Sequence, residues 1–138
     1  MAWQTRALVI ANRTADSDQL REALEGRART GPVAFTLVVP CGPRARDEAR
    51  ARLDSAVARM RAAGLEVDGR LARDSDPIVA AHEAWDPNAM DEIIVCTLPT
   101  GVSKWLQLDL PHRVAKLTDA PVTHVVAQEA EQPAHAPG

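Results

Sequence analysis

Residues 91–127 constrain the fold more than any other stretch of the chain. They begin with an unbroken apolar run, Ile93-Ile94-Val95-Cys96, followed by a turn-rich loop, Thr97-Leu98-Pro99-Thr100-Gly101-Val102-Ser103. An amphipathic stretch covers residues 104–118, and a second apolar run covers residues 121–127. A strand that is apolar without alternation is covered on both faces, and two such strands joined by a crossover run parallel. Ligands of open α/β sheets bind beyond the carboxyl ends of the strands, so the loop after Cys96 is the first place to look for a site.

The rest of the chain repeats this unit. Ala7-Leu8-Val9-Ile10-Ala11 reads as a central strand, followed by the loop Asn12-Arg13-Thr14-Ala15. Asp16 is the expected N-cap of a helix, with Gln19 three residues on and Leu20, Ala23, Leu24 and Ala28 on one face. Residues 33–39 form a second apolar strand ending in Val39. Residues 44–63 form a long helix with Ala49, Leu53, Val57 and Met60 as its stripe and Gly64 as its stop. The alternating charges of that helix read as a solvated face with local ion pairs. Residues 65–71 alternate apolar and polar, which suits an edge strand. Asp76 caps a further helix with Pro77 at its first position, and Ile78, Ala81, His82 and Trp85 share a face, with His82 partly packed. Strand then helix, four times over, with a closing strand, implies a parallel sheet with helices on both faces. Residues 1–127 form one α/β domain, and the tail at 128–138, rich in Ala, Glu, Pro and Gln, is expected to be disordered.

Several function classes fall away. A net charge of −3 gives no general pull toward nucleic acid or an anionic membrane. The absence of Tyr, with Phe35 as the sole Phe, removes the stacking platforms of single-strand binders. No apolar run reaches the roughly 20 residues that span a bilayer, and no signal-type apolar segment precedes the first strand, so a cytoplasmic, soluble protein is expected. Cys41 and Cys96 lack paired or CxxC spacing and read as structural thiols, and the His residues lack metal-ligand spacing.

The order of elements and several short segments resemble the universal stress proteins. Asn12 follows the first strand where that family usually has Asp. Asp74-Ser75-Asp76-Pro77 stands where Gly-Asp-Pro is common. Met90-Asp91-Glu92-Ile93-Ile94-Val95 is similar to the family's approach to its phosphate loop, and Ala120-Pro121-Val122-Thr123-His124-Val125-Val126 to its closing strand. The resemblance implies a single-domain three-layer α/β/α sandwich, Rossmann-like and close to the adenine nucleotide alpha hydrolase-like folds, with a five-stranded parallel sheet in the order 3-2-1-4-5. ATP-binding members carry a Gly-x-x-Gly loop and a later Gly-Ser or Gly-Thr at a helix start. Here the loop reads Cys96-Thr97-Leu98-Pro99, and the later pair falls at Asp109. Pro99 removes a backbone donor, and Asp109 is expected to cap the helix from Leu110, its carboxylate taking the N–H groups a phosphate needs.

No cofactor is therefore expected, with ATP or AMP the disfavoured alternative. If a ligand site exists, Asn12, Thr14, Val39 and Thr97 at the strand ends should converge with Gly101, Ser103, Lys104 and Asp109. The last strand, Val122, Thr123, His124, Val125 and Val126, is an apolar edge, and the family's two-fold dimer through this strand would cover it. The leading expectation is a non-enzymatic stress-response or regulatory domain, homodimeric, with a degenerate nucleotide site, acting on an unidentified protein partner or small ligand. A nucleotide sensor using a loop around Gly101 and Ser103 is the alternative. A small enzyme acting on an acidic or phosphorylated metabolite through Lys104 and His112 is the third.

Overall fold

The structure is a computed structural model, and it describes residues 4–99 and 109–127. Strands β1 (Thr5–Ile10), β2 (Val33–Val39), β3 (Glu66–Leu71), β4 (Glu92–Thr97) and β5 (Val122–Val126) form one sheet in the order β3-β2-β1-β4-β5. All four pairings are parallel. Helices α1 (Asp18–Ala28) and α2 (Arg46–Ala62) cover one face, and α3 (Pro77–Ala84) and α4 (Leu110–Thr118) cover the other. The sandwich and the strand order are those expected from the sequence.

Side-chain alternation along β1 shows how the layers are filled. Ala7 and Val9 join the cluster under α1 and α2 with Leu20, Leu24, Leu53 and Met60. Leu8 and Ile10 join the opposite cluster with Ile93, Val95, Leu110 and Val114. Apolar, buried residues at every position from Ala7 to Ile10 are what a central strand needs when helices lie on both sides.

Helix starts show where local chemistry is overruled. Ser17, not Asp16, caps α1, its hydroxyl accepting from Leu20 N at 3.1 Å. Asp16 is drawn instead to α2, where its carboxylate accepts from Ser55 Oγ at 2.8 Å and Arg59 Nη1 at 2.9 Å. The long helix begins as a 3-10 turn, Pro43–Ala45, before α2 proper. Gly64 ends it with φ +89°, a backbone conformation open to glycine. Asp76 caps α3 as expected, accepting from Ile78 N at 2.8 Å. His82 is exposed rather than partly packed, because α3 buries Ala80, Ala81 and Ala84 instead.

Candidate functional site

In the order β3-β2-β1-β4-β5 the connections reverse direction between β1 and β4, and crevices in doubly wound sheets open at the carboxyl ends beside such a reversal. Four predicted residues lie along this edge. Val39 and Thr97 close β2 and β4, while Asn12 and Thr14 follow β1. Gly101, Ser103 and Lys104 lie outside the described residues, as does the tail at 128–138.

The side chains at the edge are bonded to one another. Thr14 is buried, and its hydroxyl donates to Cys96 O at 3.4 Å, a long bond that bridges the reversal point. Asn12 Oδ1 accepts from Arg52 Nη1 at 2.8 Å. Thr97 Oγ1 donates to Leu98 O at 2.9 Å and lies 2.8 Å from His124 Nε2. One hydroxyl proton cannot serve both partners, so with Leu98 O as its acceptor the His124 ring donates through Nε2. Val39 is buried and offers its backbone, its carbonyl accepting from Ala72 N at 3.0 Å. Burial pushes the Cys96 thiol up to about 11, the Thr14 hydroxyl offsetting part of the effect, so Cys96 carries no thiolate at neutral pH.

Asp109 corrects the expectation placed on it. It stands at the start of α4, but its backbone is left-handed, φ 54° and ψ 44°, and its carboxylate makes no capping hydrogen bond. Only its carbonyl joins the helix, accepting from Arg113 N at 3.0 Å. Backbone conformation places the side chain of a capping residue, and an Asp cap needs an extended backbone. The carboxylate therefore does not occupy the helix start, and the electrostatic block assigned to it is withdrawn.

Sequence reasoning missed the arginines of α2. The solvated face expected of them is present, with Arg46, Arg50, Arg59 and Arg61 exposed, but the partners of Arg52, Arg59 and Arg61 lie on other elements. Arg52 binds Asn12, Arg59 binds Asp16 and Asp18 at 2.9 and 2.8 Å, and Arg61 binds Val67 O at 2.9 Å and Asp68 at 3.1 Å. Asp16, with further bonds from Asp18, raises the Arg59 guanidinium above its ordinary value. Among the described residues no cluster of three or more potential metal ligands occurs, and no helix is long and apolar enough to cross a membrane.

At the level of architecture this is a doubly wound, three-layer α/β/α protein whose strand order reverses between β1 and β4. More narrowly, it has the universal stress protein fold. A universal stress protein solved in complex with cAMP superposes with a TM-score of 0.63 at 21% identity, covering 93% of this chain and 100% of that one. The universal stress protein of Archaeoglobus fulgidus solved in complex with dAMP gives a TM-score of 0.58 at 20% identity, covering 91% and 99% of the two chains. A further Archaeoglobus fulgidus universal stress protein structure gives 0.58 at 21% identity, covering 88% and 93%. No protein-family model and no curated protein sequence matches the chain.

Proposed function

We propose that the chain is a non-enzymatic regulatory domain of the universal stress type, acting as a homodimer through β5, with a nucleotide cleft that does not hold ATP tightly. It would signal through a protein partner or a weakly bound small ligand. One observation carries the reading: Asn12 Oδ1, the side-chain acceptor at the carboxyl end of β1, is already engaged by Arg52. The hydroxyls of Thr14 and Thr97 are turned to Cys96 O and Leu98 O, so neither offers its proton to a ligand in this conformation. Pro99 stands in the first loop after β4, where a phosphate cradle needs backbone N–H groups and glycine's close approach.

Calorimetry with ATP, AMP and cAMP tests this. No saturable heat is expected with ATP at micromolar concentration, and saturable ATP binding in that range overturns the reading. A second reading, an AMP-type nucleotide sensor using the loop around Gly101 and Ser103, draws support from the fold neighbours solved with cAMP and dAMP. Saturable binding of AMP or cAMP without ATP would favour it.

A further inference from the structure

Four of the five arginines of α2 fall into two groups; the fifth, Arg50, is exposed. Toward its C-terminus, Arg59 and Arg61 are paired with the carboxylates of Asp16, Asp18 and Asp68. Toward its N-terminus, Arg46 and Arg52 meet neutral atoms only. Arg52 is half-buried and binds Asn12 Oδ1 at 2.8 Å; Arg46 Nη1 lies 3.4 Å from Ala72 O and 3.9 Å from Cys41 Sγ. Neither pairs with a carboxylate among the described residues. Both reach backbone or side chains just past the ends of β1, β2 and β3, so two guanidinium groups stand without counter-ions along one stretch of the sheet's carboxyl edge. Arg46 is exposed, so of the two only Arg52 is partly withdrawn from water. Charge placed like that of Arg52 is ordinarily paired, and guanidinium is the side chain best shaped for carboxylate and phosphate oxygens.

Asn12 adds a directional argument. Arginine only donates hydrogen bonds, so the contact fixes the amide with Oδ1 toward Arg52 and Nδ2 turned away. The acceptor is taken while both amide N–H groups remain without a partner among the described residues. An Asp at this position would offer acceptors and would pair with Arg52. The Asn here leaves a donor beside a cation that has no counter-ion.

We propose that the carboxyl edge over β1 and β2 binds a small oxyanion, a carboxylate or a phosphoryl group, through the Arg52 guanidinium and the Asn12 amide, with Arg46 strengthening the field. This rests on the reading above and names the class of the weakly bound ligand. It places the anion on the β2 side of β1, away from the loop after β4. Asp47 and Glu48, exposed on the first turn of α2, weaken the attraction. Two charge-assisted hydrogen bonds at a partly exposed site correspond to a dissociation constant of about 1 mM.

The test is an NMR titration of the intact chain with inorganic phosphate and, separately, malonate, following the Asn12 side-chain amide and the backbone amides of residues 11–17. At least one anion should give saturable shifts centred there. Saturation by phosphate alone indicates a phosphoryl ligand, and by malonate alone a carboxylate ligand. Arg52→Gln should weaken binding at least about tenfold, the loss of a principal charged contact. Arg52→Lys, which keeps the charge but not the fork, should bind at an intermediate level and covers a folding failure of the first variant. Asn12→Asp should abolish binding, and Arg61→Gln should leave it unchanged. Absence of saturable shifts with both anions, or unchanged binding in Arg52→Gln, overturns the proposal. An ATP titration in the same series reads the nucleotide question separately: tight ATP binding would overturn the degenerate-cleft reading, whatever phosphate alone does.

Discussion

The two edges of the sheet, β3 and β5, solve the same problem in opposite ways. An edge strand presents unpaired backbone groups, which invite another strand to add on. On β3, Glu66, Asp68 and Arg70 are all exposed, on the face opposite Val67, which lies in the core under α2. Any chain approaching that edge must desolvate charge. On β5 no carboxylate, lysine or arginine occurs; Val122 and Val125 lean on the two core clusters, and Val126 stays 48% exposed. Leu117 of the neighbouring α4, 47% exposed, is the other large hydrophobic left open among the described residues. One edge carries charged side chains and the other does not.

The sharpest way to break this comparison is at β5. Val126→Lys puts a charge on the edge where β5 is apolar, at a side chain that is not part of the core. It should convert a dimer to a monomer at micromolar concentration, read by light scattering, while leaving the melting temperature of the monomer nearly unchanged. Val125→Lys is a poorer probe, because Val125 packs against the core and its loss would weaken the fold as well. A wild-type chain that is already monomeric under these conditions rejects the dimer outright.

The next effect lies at β3 and concerns packing. Gly69 lets α2 settle onto the strand: a Cβ there would stand 2.8 Å from Val57 Cγ2 and 2.9 Å from Leu53 Cδ1. Both neighbours are buried side chains of α2, and one or both must shift to admit it. Gly69→Val should therefore destabilise the fold by about 1–3 kcal/mol, measured by urea denaturation. Stability equal to wild type would mean that α2 is not held against β3 in this way. A smaller loss, about 1 kcal/mol, is expected for Ser17→Ala, which removes the α1 cap and calibrates the scale of a purely local contact.

Much of this architecture was legible because it depends on patterns a few residues long. Apolar runs named the central strands, alternation named β3 as an edge, and Asp76-Pro77 named a helix start, each by a rule that holds whatever surrounds it. Asp16 and Ser17 show the limit. Both are good caps, and the choice was made by Arg59, which takes the Asp16 carboxylate from more than forty residues away. Asp109 failed for another reason: a left-handed backbone is invisible in a residue that caps well elsewhere. The site was the least legible part. Asn12, Thr14, Val39 and Thr97 follow from strand ends, but Arg52 enters only when α2, packed on β3 and β2, sends it to the loop after β1, and no spacing rule joins residues 12 and 52.

The smallest expected effect separates guarding an edge from stabilising a fold. Asp68 pairs with Arg61 at 3.1 Å, but the two side chains are 88% and 57% exposed, and such pairs are screened and cost side-chain entropy. Asp68→Asn should shift the unfolding free energy by less than about 0.5 kcal/mol. If the charges on β3 exist to repel strands, removing them should show in association instead. Glu66→Val combined with Asp68→Val should leave the fold intact and produce concentration-dependent assembly at the β3 edge, detectable by sedimentation velocity. It should persist when Val126→Lys is added, since the two edges are separate. Assembly that vanishes with Val126→Lys would mean β5 does all the associating, and the charges on β3 would then need another explanation.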